Sequence, residues 1–327
     1  MYKPSISVLV PIYKVENFIE RCARSLFEQT YKSIEFIFVN DCTPDHSIDI
    51  LKTTINAYPD IKDRVQILNH EQNKGLAAAR NTAVAAASGD FVWHVDSDDY
   101  VDVTAVEKLI MKQQYEDSDI VFMDIFREGR NYKYKITRDN FANPKDWTLA
   151  FLSRKSFVSV WGGIIRKSLY EDNSIEEFPG INMGEDYQTL PRLTYYAKKI
   201  SVLHEPLYHY VMLNDSSFSN SFSKTKSEQY WQSANVLLNF FSNKGCEYLD
   251  ALEEGRVNIC LEMLRGCTRT KGNNVDFRHL KDKLNSLKPN AFKHLSMPYK
   301  VLSKIDNYAV MHWYVKILGG IKRLFLT

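Results

Sequence analysis

The stretch that decides the fold is Phe91-Val92-Trp93-His94-Val95-Asp96-Ser97-Asp98-Asp99-Tyr100. Phe91 to Val95 is a nearly unbroken run of bulky and β-branched side chains. That is the pattern of a strand buried on both faces, and such strands belong to parallel sheets covered by helices. The run then turns acidic, so Asp96, Asp98 and Asp99 sit at the strand's carboxyl end. Ligands of open α/β sheets bind at that edge. Three carboxylates so close together repel one another unless a cation or several donors neutralise them. A hard, oxygen-preferring ion, Mg2+ or Mn2+, is the simplest candidate.

Upstream, strand and helix patterns alternate. Ile6 to Val10 is a short apolar run closed by Pro11, after which Val15, Phe18, Ile19, Cys22 and Leu26 recur at helical spacing. Ile34 to Val39 is a second strand ending in Asn40-Asp41, and Thr43-Pro44 predicts the cap and first residue of a helix whose stripe is Ile48, Leu51, Ile55 and Tyr58. Val65 to Leu68 is a third strand, and the alanine-rich segment Leu76 to Ala87 is a third helix stopped at Ser88-Gly89. Four alternations predict an α/β fold: a Rossmann-like, mainly parallel sheet with right-handed crossovers, flanked by helices.

Downstream, Val103 to Tyr115 reads as a helix and Ile120 to Met123 as a strand, and the segment 126–138 reads as a hairpin or an excursion at the sheet edge. Phe157 to Ile165 is expected to rejoin the sheet. Glu185 to Lys198 reads as a helix interrupted near Pro191, and Ser201 to Val211 as an extended segment with a turn at Glu205-Pro206. Beyond about residue 222 only helical patterns remain, which predicts two domains, 1–221 and a helical region 222–327. The last segment, Trp313 to Phe325, places Trp313, Ile317, Ile321, Leu324 and Phe325 on one side, flanked by Lys316, Lys322 and Arg323. The expectation is a final helix docked through that side, with a peripheral membrane contact as the sharper alternative.

Composition narrows the class. With 44% apolar and 25% charged residues the chain is an ordinary globular one, and its net charge of +2 gives no electrostatic case for nucleic acid. Five cysteines without a Cys-x-x-Cys pair do not suit a secreted disulfide framework. Met1 to Ser5 leads straight into a strand, and no stretch reaches the roughly 18 apolar residues of a spanning helix. The expected location is cytoplasmic, either soluble or peripheral to the inner face of the cell membrane.

The carboxyl ends of the four strands carry Pro11 and Tyr13, then Asp41, then the turn Asn73-Lys74-Gly75 leading to Arg80, then the acids of the opening stretch. By the crevice rule they converge on one ligand. An aromatic ring and a carboxylate suit a nucleobase, and an arginine and a metal suit a diphosphate.

With these residues in place, the chain resembles the family 2 inverting glycosyltransferases of the GT-A fold. The resemblance rests on Ser7 to Tyr13, Glu35 to Thr43, Asn73 to Asn81 and Asp96-Ser97-Asp98-Asp99, and extends through Trp161 to Lys167 and Gly184-Glu185-Asp186-Tyr187. It implies that Asp41 contacts the base, Asp96 the nucleoside side and Asp98 the metal. It also implies that Asp186 is the general base with Glu185 beside it, and that Arg80 and the metal stabilise the departing diphosphate. The implied substrates are a nucleotide-diphospho-sugar, with UDP-sugar the first expectation, and a glycan or lipid-linked acceptor, in surface polysaccharide synthesis. One departure stands out: an arginine often follows the family's Tyr-rich segment, whereas here Tyr208-His209-Tyr210 leads to Val211 and then Asn214-Asp215-Ser216-Ser217. His209, Ser216 and Ser217 are substitutes for its contact, although a lone histidine in such a segment is more often structural. Trp161 either stacks on an acceptor sugar or fills the core.

Three rivals fare worse. A dinucleotide enzyme and a sugar-phosphate nucleotidyltransferase both need a glycine-rich turn where Pro11-Ile12-Tyr13-Lys14 stands. A calcium loop starting at Asp96 would need its glycine at Val101. The non-enzyme alternative is a module of the same fold that only binds a nucleotide or glycan, against which Asp98 and Asp186 both argue.

Overall fold

The computed structural model describes residues 4–214, 223–269 and 274–324. The chain divides into two compact units: Met1–Thr148 with Phe157–Ser216, and Leu149–Ser156 with Ser217–Thr327.

The first unit carries a nine-stranded sheet. Its leading elements are β1 (Ile6–Ile12), α1 (Ile19–Phe27), β2 (Ile34–Asn40), α2 (Ser47–Asn56), β3 (Val65–Asn69), α3 (Leu76–Ala86) and β4 (Phe91–His94). The strands lie in the order β3-β2-β1-β4, all parallel, with Ile12 beside Asn40 and Leu9 beside His94. All their carboxyl ends therefore open on one edge. Apolar side chains fill both faces: Phe36, Phe38 and Trp93 are buried on one, where Ile19, Cys22 and Leu26 of α1 pack, and Leu9, Ile37 and Val92 are buried on the other.

The remaining elements are β5 (Tyr100–Val101), α4 (Ala105–Glu116), β6 (Ile120–Gly129), β7 (Tyr132–Ile136), α5 (Pro144–Leu152), β8 (Gly163–Arg166), α6 (Ser168–Glu171), α7 (Glu185–Tyr196) and β9 (Ile200–Val211). β8 lies between β4 and β6, antiparallel to both; β9 runs parallel to β6, and β5 and β7 pair antiparallel with β9 and β6. The sheet is thus mixed rather than mainly parallel. β8 is reached through the hairpin and α5 instead of by a strand-helix-strand crossover, so the handedness rule does not set its direction.

Local expectations fail where tertiary contacts take over. α2 starts at Ser47, not after Thr43-Pro44, because the Asp45 carboxylate accepts from Ser47 N at 3.2 Å, Ser47 Oγ at 2.6 Å and Thr43 Oγ1 at 2.6 Å. α7 runs straight through Pro191, with every residue from Tyr187 to Thr194 buried; that burial outweighs the cost of roughly 3 kcal/mol for an interior proline. In place of a turn at Glu205-Pro206, β9 continues with a shifted register: Met123 faces Leu203, Asp124 faces Pro206 and Ile125 faces Tyr208.

The second unit is helical: α8 (Lys224–Phe241), α9 (Cys246–Arg269), α10 (Asn274–Asn285), α11 (Met297–Lys304) and α12 (Tyr308–Leu324). Ser223 caps α8, its side chain accepting from Lys226 N at 3.2 Å. Leu261 and Leu264 of α9 pack in one core with Leu280 and Leu284 of α10, Leu302 of α11 and Met311 of α12. The final helix therefore docks through Met311 and Val315, not through the Trp313 side: Trp313 is 66% exposed, and Ile317 is also exposed. The side chains of Ile321 and Leu324, and Phe325 altogether, lie outside the described residues. Among the described residues no helix is long and apolar enough to cross a membrane.

At Gly163 the backbones of β8 and β6 meet so closely that an added Cβ would sit 2.1 Å from the Val121 carbonyl oxygen and 2.8 Å from Phe122 Cα. Gly163→Ala must push two hydrogen-bonded strands apart. We expect a loss of about 1–3 kcal/mol, read as a lower urea midpoint at unchanged slope.

Candidate active site

Each acid of the opening stretch is met by its own donors. Asp96 Oδ1 pairs with Arg80 Nη2 at 3.0 Å, and Asp98 Oδ2 accepts from Asn214 Nδ2 at 3.0 Å. Asp99 is fully buried; it accepts from Tyr208 Oη at 2.7 Å and from Val211 N at 2.7 Å. Burial, reinforced by Asp98 and Asp96, pushes the Asp99 carboxyl well above its usual range, and burial together with Asp96 raises Asp98 to about 6. The mutual repulsion of the three is therefore relieved by separate donors and retained protons. Tyr208 serves twice, since its hydroxyl also accepts from Asp96 N at 3.1 Å.

Arg80 is the hub. Only 1% exposed on α3, its guanidinium reaches Asp186 at 2.7 Å, Asp96 at 3.0 Å, Glu185 at 3.1 Å and Glu177 at 3.8 Å. Its Nη1 and Nη2 groups donate to these acids, while its buried Nε has no hydrogen-bond partner among the described residues; held this deeply, Arg80 orders the carboxylates around it. One cation among four acids leaves excess negative charge. Burial raises Glu177 to about 8, and it lifts Glu185, next to Asp186, well above its usual range; Asp186 is raised too, chiefly by burial, with Arg80 opposing. For Arg80, the attraction of the acids outweighs the burial that would lower it.

Glu185 and Asp186 open α7 after Gly184, whose φ of +85° places it in the left-handed region open to glycine. Acids in a first helical turn also meet the positive end of the helix dipole.

A second network holds the turn before α3. The Asp41 carboxylate accepts from Lys74 N at 2.8 Å, Gly75 N at 2.8 Å and a His70 ring nitrogen at 2.7 Å. Asp41 thus fixes the turn before α3. Gly75 has φ +88°, and a Cβ there would fall 2.3 Å from the Asn182 amide, whose oxygen accepts from Ala77 N at 3.2 Å. Pro11 is buried at the end of β1, while Tyr13 is 42% exposed with Lys14 Nζ 5.2 Å from its ring centre.

Of the candidates, the structure gathers Arg80, Asp96, Glu185 and Asp186 at one point, whereas Asp41 and Gly75 belong to the adjoining turn. Glu177 and Asn182 carry no local signal that would have singled them out. Glu177 is seated by Asn81, whose side-chain amide exchanges hydrogen bonds with its backbone at 2.6 and 2.8 Å. Trp161 is core: it stacks on Tyr208 with ring centres 4.6 Å apart. His209 is structural as well, stacked on Tyr100 at 4.1 Å and bonded to Glu128 at 2.6 Å. Ser216 and Ser217 lie outside the described residues.

Among the described residues no three His, Cys, Asp or Glu side chains are grouped to hold a metal. Asp98, with Asp96 beside it, still offers the oxygen donors that Mg2+ or Mn2+ takes when substrate phosphates and water complete its shell.

The chain is 30% identical over 218 residues to the putative glycosyltransferase EpsH of Bacillus subtilis, covering 64% of this chain and 61% of that protein. It is 27% identical over 254 residues to the glycosyltransferase GlyG of Streptococcus pneumoniae, covering 73% and 79%. The chain spans about three fifths of the length of EpsH and of EpsJ, an uncharacterized glycosyltransferase of the same organism. The fold is that of S. aureus TarS 1-349 solved in complex with UDP-GlcNAc, with a TM-score of 0.73 at 19% identity over 95% of this chain and 90% of that one. Residues 7–172, half of the sequence, match the profile of Glycosyl transferase family 2, and the chain belongs to that family.

Proposed function

We propose that the chain is an inverting glycosyltransferase that moves a sugar from a nucleotide-diphospho-sugar to a hydroxyl of a glycan or lipid-linked acceptor, with the first unit as its donor-binding and catalytic domain. The observation that carries this reading is the Arg80 cluster. One side chain ties Asp96, at the carboxyl end of β4, to Asp186, ninety positions later at the start of α7. A donor-side acid and a proton acceptor are thereby held within the span of one guanidinium.

In this reading Tyr13 stacks on the base, Pro11 and Gly75 shape the backbone around the nucleoside, and Asp96 meets its ribose side. Asp98 holds a divalent cation, Mg2+ or Mn2+, which when bound supplies positive charge to the departing diphosphate. Asp186 accepts the proton of the acceptor hydroxyl as that oxygen bonds to the anomeric carbon. The bond to the diphosphate breaks on the opposite side and its electron pair leaves with the nucleotide, so the configuration inverts. Burial favours this role, because a carboxylate raised above its usual range is a stronger base than one in water. Glu185 and Arg80 position Asp186, and Asp41 positions the Gly75 turn.

UDP is the nucleotide to try first, since the similar TarS fold was solved with UDP-GlcNAc and with UDP. Relatives such as the minor teichoic acid biosynthesis protein GgaB of Bacillus subtilis, 26% identical over 230 residues, support a role in cell-surface glycan synthesis.

Three outcomes are expected. Asp98→Asn abolishes the Mn2+-dependent part of UDP binding in calorimetry, and unchanged affinity would remove Asp98 as the metal residue. Asp186→Asn keeps donor binding but lowers UDP release with acceptor by roughly 10²–10⁴-fold; ordinary turnover by this variant would rule it out as the base. The third concerns pH. Folded Glu177 keeps its proton up to about 8 while the unfolded chain releases it in the usual carboxylate range, so stability must fall as pH rises through that window. Glu177→Gln should show a shallower decline in denaturation midpoint between about pH 5 and about pH 8, and an unaltered slope would contradict the raised value.

A further inference from the structure

We infer that the outward faces of α11 and α12 form a docking surface for an anionic lipid bilayer. On α12, Val310, Trp313 and Ile317 recur at helical spacing and are exposed, while Met311 and Val315 on the other side are buried in the core of the second unit. α11 repeats the arrangement, with Met297 and Val301 exposed and Leu302 buried. The two helices touch through Tyr314 Oη, which donates to the Pro298 carbonyl oxygen at 3.0 Å. Large apolar side chains presented on adjacent helices are not accounted for by this unit's own core.

Charge identifies the occupant. From residue 286 to 318 the chain carries five lysines, Lys288, Lys293, Lys300, Lys304 and Lys316, against a single acid, Asp306. All five lysines are exposed and make no ion pair among the described residues, whereas Asp306 is already taken by Lys281 at 2.8 Å. Lys300 and Lys304 lie one turn apart on α11 beside Met297 and Val301, and Lys316 follows Trp313 at i+3. Apolar side chains with a tryptophan, rimmed by lysines, match an interface of acyl chains under anionic headgroups. A second copy of the same face would bring like charges together. The inference does not depend on the transfer reaction.

The test is co-sedimentation of the full chain with phosphatidylcholine vesicles, with and without phosphatidylglycerol. Binding is expected only with phosphatidylglycerol, and it should collapse between about 0.1 M and about 1 M salt, where the screening length drops from about 10 to about 3 Å. Lys300→Glu and Lys304→Glu should each weaken partitioning at least about fivefold, the effect of one lysine near such a surface. Trp313→Phe should remove the vesicle-induced blue shift of tryptophan emission. UDP affinity in solution should be the same in all three variants, which separates failure here from failure of the transfer reading. Absence of binding to the anionic vesicles, or binding that all three variants retain in full, overturns the inference. So does a concentration-dependent dimer, without lipid binding, that Trp313→Ser dissolves.

Discussion

Burying a guanidinium is tolerable only if acids come with it. Arg80 has almost no contact with water, and it is balanced by carboxylates drawn from three separate parts of the chain: the turn after β4, the segment before α7, and α7 itself. Removing Arg80 would leave these acids without their cation in a poorly hydrated place, and breaking such a pair typically costs about 3–5 kcal/mol. The same requirement works in reverse on the acids. Four of them around one cation cannot all be anionic, so protons remain on Glu177 and Glu185 at pH values where exposed carboxylates have long lost theirs. Electrostatics and architecture are here one constraint: the cluster exists because the chain returns to one point, and the chain is held at that point by the cluster.

The first four strands and their helices were legible because their signals are local. A doubly buried strand needs uninterrupted apolar residues, and an alanine-rich helix ends where Ser88-Gly89 tells it to. The acids at the end of β4 were legible for the same reason, since a strand's last residue and its neighbours lie side by side in sequence and in space. What the sequence could not disclose was partnership. Nothing around Glu177 marks it as the fourth acid of Arg80, and nothing in Arg80 itself says whether it faces a diphosphate or a set of carboxylates. The contacts of Asp41 and Trp161 are hidden in the same way, because their partners lie far away in the chain. The direction of β8 was invisible for a similar reason: it depends on where a long excursion comes back.

The C-terminal helix shows how periodicity can name a face without saying which way it points. Trp313 and Ile317 do share a side of α12, but the core claims Met311 and Val315 instead. Either pair satisfies a helical period. The choice is made by what α9 and α11 present, and that is tertiary information.

The register of β9 against β6 shifts by an odd number of residues. Between the pairs Met123 with Leu203 and Ile125 with Tyr208, β6 advances by two residues and β9 by five, a surplus of three on one strand. Side chains alternate across a sheet, so an odd surplus exchanges the two faces for everything that follows. Tyr208 reaches Asp99 and lies against Trp161 on the far side of that exchange, and His209 takes the opposite face. Parity therefore constrains the length of this segment. Losing or gaining two residues between His204 and Leu207 would preserve it, whereas a change of one would turn the strand's inner and outer side chains over and detach the acids of β4 from the strand that anchors them.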